Sequence, residues 1–322
     1  MGKRLLASFL AAAMMLTMAP VAFAIENTED TIDADQIPAT EEAVAGENQI
    51  ETKDTSTLQS AIDAANGSYT LTGNTTADIT ISQDLVLDLG DYTLTNTNAG
   101  KATITVANGA TVTVKNGSVQ GGTSYYNIEV KTGGTLTLED VTATAGNSGS
   151  SMIDNYGTLT ITSGTYTGGL NVVKSDPETK LTITGGTFNL ESAVAWSYTG
   201  VVMNYGDAVI TGGTFNQNAT TPAKAYPTVV ITAKENEEEL RPTTKITGGT
   251  FVNKHTSSSA KIFHNMKKAY QSDFDVSGGT FSKEVAAAYC PNYIVEKDST
   301  TGMYSVGAKA VAVKVDAGSD YV

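Results

Sequence analysis

Leu181-Thr-Ile-Thr-Gly-Gly-Thr-Phe188 decides the fold, because the chain repeats it. It returns as Ala208-Val-Ile-Thr-Gly-Gly-Thr-Phe215 and Thr244-Lys-Ile-Thr-Gly-Gly-Thr-Phe251, and more loosely as Phe274-Asp-Val-Ser-Gly-Gly-Thr-Phe281 and Leu159-Thr-Ile-Thr-Ser-Gly-Thr-Tyr166. Alternating apolar residues suit a strand with one buried face, and the Gly pair suits a corner that needs positive φ. Weaker relatives are Leu136-Thr-Leu-Glu-Asp-Val-Thr-Ala143, Val112-Thr-Val-Lys-Asn-Gly-Ser-Val119 and Leu85-Val-Leu-Asp-Leu-Gly-Asp-Tyr92. With the residue before the final apolar position as marker, the copies fall at 91, 118, 142, 165, 187, 214, 250 and 280. The shortest interval is 22 (187 − 165) and the longest 36 (250 − 214). A short period with unequal insertions is the signature of a solenoid whose coils carry loops of different length. It leaves no room for one immunoglobulin-type sandwich per repeat, which needs roughly 100 residues.

Each unit holds a second apolar run, as in Asn127-Ile-Glu-Val130, Asn171-Val-Val173, Val201-Val-Met203 and Thr228-Val-Val-Ile231. Turns such as Asn155-Tyr-Gly157 and Asn204-Tyr-Gly206 then lead into the marker strand. One coil is therefore expected to read strand, turn, strand, Gly corner, variable loop. Strands of successive coils would stack in parallel about 4.8 Å apart. Like residues would then stack on like, with Ile161, Ile183, Ile210 and Ile246 in one internal ladder and Tyr166, Phe188, Phe215, Phe251 and Phe281 in another.

The solenoid is expected over 57–306, with about eight or more coils and a cap at each end. Leu58, Ala61, Ile62 and Ala65 share one face of a helix over 57–66, with Ser56 or Thr57 as its cap and Gly67 as its stop. At the far end, Tyr293-Ile-Val295 and Met303-Tyr-Ser-Val306 flank Asp298-Ser-Thr-Thr-Gly302, which reads as a closing hairpin. Residues 307–322 are a tail or the start of a further element, since Ala310-Val-Ala-Val-Lys-Val315 alternates like a strand.

Composition agrees with a β-rich chain full of turns: of 322 residues, 49 are Thr and 31 Gly. Residues 1–24 read as a secretory signal peptide, with Lys3 and Arg4 before an apolar run and Ala22-Phe23-Ala24 as the cleavage site. Residues 25–56 read as a disordered acidic spacer, in which Lys53 is the one basic residue. Beyond the signal remain 18 basic and 34 acidic groups, a formal charge of −16, and Arg241 is the one arginine. Nucleic acid and anionic membranes are therefore poor partners, with no nucleic acid expected, and acidic polysaccharide would be repelled unless Ca²⁺ bridged it. The expected location is extracellular or cell-surface, with no membrane span after cleavage. Cys290 stands alone, so no disulfide staples the fold, and it reads as a small buried apolar residue.

The Ile-Thr-Gly-Gly-Thr-Phe repeats over about 57–306 resemble right-handed parallel β-helix proteins of the pectate-lyase-like superfamily, and within it secreted or surface proteins of gut bacteria. The resemblance implies an all-β, single-stranded, right-handed parallel β-helix. Its catalytic members imply clustered carboxylates around Ca²⁺ with an Arg or Lys base, or neighbouring Asp residues with Gly-His-Gly and Arg-x-Lys segments. This chain has no Asp-Asp pair, no Gly-His-Gly and no Arg-x-Lys; Arg241 is followed by Pro242. No catalytic residue, cofactor or metal ligand is therefore assigned. His255 and His264 lack further ligands at zinc spacing. Asp84 and Asp88 share parity about 13 Å apart, too far for either glycosidase geometry.

What remains for function is surface. Tyr125 and Tyr126 open the variable part of one coil, and Trp196 and Tyr198 lie in a long insertion. Exposed aromatic rings stack on sugar rings, so these four are the expected ligand-binding residues. The reading is a non-catalytic binding or adhesin-like module for glycans, or for a host or cell-surface protein. The alternatives are a polysaccharide lyase or hydrolase of the same fold, and a passive structural stalk.

Overall fold

The computed structural model describes residues 55–122, 125–192, 198–220, 226–234, 241–258, 260–267 and 269–308. The segments read as a signal peptide (1–24), as an acidic spacer (25–56, up to Asp54) and as a tail (307–322, beyond Ala308), together with Trp196, lie outside the described residues. Most coils contribute three strands, one more than the sequence suggested; in Thr111–Gln120 and Thr135–Thr144 the second and third run on as one strand. In one coil they are Ile153–Asn155, Thr158–Ile161 and Gly164–Thr167. The residues after the Gly corner, expected to lead into the variable loop, form the third strand, because the alternation resumes there. Gly186, at φ 96°, makes such a corner. At Gly212 an added Cβ would collide with the Thr184 carbonyl oxygen of the coil below, so the corner also needs a residue without a side chain.

Successive coils stack in parallel and form a parallel β-helix. The first ladder runs through the strands Gly67–Thr70, Leu85–Asp88, Thr111–Gln120, Thr135–Thr144, Thr158–Ile161, Lys180–Ile183, Asp207–Ile210, Thr243–Ile246 and Phe274–Val276. The second, past the corner, joins it in one 18-stranded sheet, because Thr111–Gln120 and Thr135–Thr144 belong to both ladders. The third is an eight-stranded sheet from Ile79–Ile81 to Lys261–Lys267.

The expected internal ladders are present. Ile161, Ile183, Ile210 and Ile246 are register partners and fully buried. Tyr166, Phe188, Phe215, Phe251 and Phe281 stack ring on ring, with centroids 5.0, 4.9, 4.8 and 5.2 Å apart and planes within 15° of parallel. The coil rise itself sets this spacing. Stacked pairs add roughly 0.5–1.5 kcal/mol each beyond burial.

Toward the N-terminus the same row continues as Ala143, Val119 and Leu94. The earliest marker is therefore Thr93, which pairs with Ser118, and not Asp91. Gly90 and Asp91 both take positive φ, 59° and 65°, and this wider corner leaves Tyr92 exposed and brings Leu94 into the core.

Both caps are present. Among the described residues the helix spans Thr55–Asp63. It ends before Gly67 because the Gln83 side chain donates to the carbonyls of Ile62 and Ala65. Leu58 and Ile62 are buried against the first coil. Gln59 accepts from the Thr80 amide and donates to the Thr80 carbonyl, each at 2.8 Å, and so supplies a side-chain partner to an edge strand. At the other end Tyr293–Lys297 and Tyr304–Ala308 form the antiparallel hairpin, and the second strand also pairs with Thr280–Phe281. Its turn is held by Asp298, whose carboxylate accepts from the Thr300 and Thr301 amides. Cys290 is a free, buried thiol. No described helix is long and apolar enough to cross a membrane.

Candidate functional site

The third sheet carries the chemistry. Its core-facing row is uniform: Ile79, Ile104, Ile128, Ile153, Val173, Val202, Val230 and Phe263 are register partners. The neighbouring row points the other way, because side chains alternate along a strand. It reads Thr80, Thr105, Glu129, Asp154, Lys174, Met203, Ile231 and His264. Glu129, Asp154 and Lys174 thus sit on three consecutive strands at one register position, about 4.8 Å apart along the stack.

Around Asp154 these groups close into a network. Lys174 Nζ lies 3.4 Å from Asp154 Oδ1 and 2.6 Å from Asp176 Oδ2. The Tyr156 hydroxyl donates to Asp154 Oδ2 at 3.2 Å, and the Tyr126 hydroxyl contacts both Asp154 and Tyr156. The ammonium of Lys174 also stands over the Tyr156 ring, 5.5 Å from its centroid. Asp154 is wholly shielded from solvent. A buried carboxylate is tolerated only with partners of this kind.

The titration of the network follows from burial first. Desolvation, and then the hydrogen bond with Asp154, push the Asp176 carboxyl up from 3.8 to about 6, against the opposing pull of Lys174. Burial works against the charge on Lys174, but the Asp176 and Asp154 carboxylates outweigh it and raise its pKa. Desolvation and Asp154 raise the Tyr126 phenol, so it stays protonated and able to donate.

Two clefts open on this face. One, of about 420 Å³, is lined by Tyr126, Ser150, Ser151, Asp154, Asn171, Lys174, Met203 and Tyr205 among others. The other, of about 500 Å³, is lined by Asp78, Thr80, Lys101, Thr105, Tyr125, Glu129 and Lys131 among others. Tyr125 borders one cleft and Tyr126 the other, and their rings lie 4.4 Å apart at 46°. In the second cleft Lys101 pairs with Asp78 at 2.9 Å, and Lys131 pairs with Glu129 at 2.5 Å.

Of the four aromatic residues expected to bind ligand, two are therefore brought to the clefts, Tyr125 and Tyr126. Tyr198 begins the strand Tyr198–Asn204, and Trp196 lies outside the described residues. Asp84 and Asp88 hold the backbone: Asp84 accepts from the Thr111 amide, and Asp88 accepts from the Gly90 amide and the Asn116 side chain. Among the described residues no three His, Cys, Asp or Glu side chains converge as metal ligands.

Sequence reasoning missed Asp154, Tyr156, Lys174 and Asp176. The available signal was register. The turns Asn155-Tyr-Gly157 and Asn204-Tyr-Gly206 align one residue after Asp154 and Met203, and carrying that offset through Ser175 puts Lys174 between them. No family model, curated protein or solved structure matches the chain.

Proposed function

We propose that the chain is a secreted or cell-surface β-helix that binds glycan chains along the outer face of its third sheet. The observation that carries this reading is the Tyr125–Tyr126 pair placed between two clefts that mix apolar and polar groups. Sugar recognition combines an apolar ring face with directional hydrogen bonds to hydroxyls, and this face offers both side by side. Asn171, Ser150 and Ser151 add polar groups to the floor of one cleft. The secretory leader at 1–24 and the acidic spacer support presentation outside the cell, and the repeat pattern supports kinship with the pectate-lyase-like β-helices.

A broad glycan array probed with the 25–322 chain, with and without Ca²⁺, tests the reading. A saturable hit weakened tenfold or more by Tyr126→Ala supports it. Equal affinity of the wild-type, Tyr125→Ala and Tyr126→Ala chains for every ligand found would sink the proposed face. Reproducible release of sugar ends from a bound glycan would replace binding by catalysis.

One observation favours the catalytic alternative: Asp154 and Asp176 are adjacent carboxyls, one of them with its pKa lifted to about 6. Enzymes use such pairs to separate acid from base. Against it stands the engagement of both with Lys174, and the complete burial of Asp154.

A further inference from the structure

We infer that the glycans this face takes are uncharged, hydroxyl-rich chains, and that uronate- or sulfate-bearing chains are rejected. The inference rests on the binding reading above and names its ligand class. Three lysines line the two clefts: Lys101, Lys131 and Lys174. Each is already paired with a carboxylate, Asp78, Glu129 or the Asp154–Asp176 pair.

Charge therefore balances or turns slightly negative along the whole track. Around the Tyr125 cleft two lysines face two carboxylates; around the Tyr126 cleft one lysine faces two. Among the described residues lining these two clefts, an anionic sugar finds no cation without a partner. To gain one it must break an existing pair and bring its own charge beside the displaced carboxylate. Glu129 and Asp154 are buried, so water could screen a displaced carboxylate only weakly. Arg241, the one arginine beyond the leader, is not among the residues lining either cleft and is held by Asp273 at 2.5 Å.

A neutral polyol has no such conflict. An ammonium keeps donor hydrogens beyond the one given to its carboxylate, and the carboxylate keeps lone pairs. The Lys101–Asp78 pair, which reaches solvent on both sides, thus presents donors and acceptors together. Lys131 and Lys174 add donors, which matches hydroxyls that both give and take. The six residues Thr80, Thr105, Glu129, Asp154, Lys174 and Met203 occupy consecutive strands of the row. Five intervals of about 4.8 Å give a track of about 24 Å, so the ligand is a chain of several sugars lying along the helix axis.

The test is a titration of the 25–322 chain with cellohexaose, xylohexaose, mannohexaose, hexagalacturonate and dextran sulfate at two salt concentrations. At least one neutral hexaose should bind about tenfold tighter than hexagalacturonate, with little salt dependence. If hexagalacturonate or dextran sulfate binds as tightly, and salt weakens it, the inference falls while the glycan reading survives. If none of the five binds and the array is also blank, both fall. A second arm uses the double variant Asp78→Asn, Glu129→Gln, which frees Lys101 and Lys131 at nearly unchanged volume. It should gain about tenfold for hexagalacturonate, and the gain should vanish at high salt. No gain in a folded variant would show that pairing is not what rejects the anion.

Discussion

Two rows of side chains run through this solenoid, one on the inner side of the second ladder and one on the outer side of the third. The inner row is Leu94, Val119, Ala143, Tyr166, Phe188, Phe215, Phe251 and Phe281, all buried. The outer row passes from Thr80 through Glu129, Asp154 and Lys174 to Met203 and His264. Both rows obey the same register, so backbone geometry cannot be the source of the contrast. The inner row is apolar throughout and uniform from Tyr166 to Phe281, because each ring must fill the gap its neighbours leave at a fixed spacing. The outer row has no such constraint, and there a change of residue type from coil to coil signals chemistry. In a solenoid, repetition marks what holds the fold, and its interruption marks what the fold carries.

The sharpest way to break the contrast is to damage the uniform row. Phe215 sits between Phe188 and Phe251, with centroids 4.9 and 4.8 Å away. Phe215→Ala removes a fully buried ring from the middle of a stack that neighbouring coils cannot close. The expected loss is about 3–5 kcal/mol, read by chemical denaturation. A loss under about 1 kcal/mol would mean that the stack is not a principal source of stability.

This contrast also explains what the sequence discloses. The coils, both internal ladders, the N-terminal helix and the closing hairpin were legible because each depends on a local pattern repeated many times. The third strand was not, since the Gly corner reads as leading straight into the variable loop, whereas Thr187–Leu190 resumes the alternation with its parity shifted. Tyr125 and Tyr126 were legible as a conspicuous pair. Asp154, Lys174 and Asp176 were not, because Asp154 and Lys174 are separated by 20 positions (174 − 154) and meet only through stacking. No window of sequence shows a carboxylate pair that the coil rise assembles.

A smaller effect is expected in the outer row, where Lys174 is the one cation between two carboxylates. Lys174→Met keeps much of the side chain's bulk and leaves Asp154 and Asp176 facing each other uncompensated. Breaking a buried pair in this way costs about 3 kcal/mol. The cost should be largest near pH 8 and shrink toward pH 5, where the carboxyl pair can take up a proton. Denaturation at both pH values checks this. A loss that does not change with pH would assign Lys174 a packing role only.

The smallest effect has the opposite sign. In the folded chain the Asp176 carboxyl titrates at about 6, against 3.8 for the free group, so the folded state holds this proton more tightly than the unfolded state. Asp176 therefore removes stability as pH rises from about 4 through about 6, and the deficit is complete above that window. Asp176→Asn cannot ionise and escapes the deficit, though it also surrenders part of the attraction to Lys174. Lys174 keeps Asp154 as a partner, which limits that loss. The net expectation is a variant more stable than wild type at pH 7.5 by on the order of 1 kcal/mol, with the difference gone by pH 3.5. Asp78 and Asp88, whose carboxyls are lowered despite burial by their lysine, amide and backbone partners, titrate alike in both chains and cancel. If the variant were instead less stable at pH 7.5, the carboxylate of Asp176 would belong with the inner row, as a group retained because it holds the fold. A gain would place it with the groups that the outer face carries at a cost to stability, which is the pattern expected of a site.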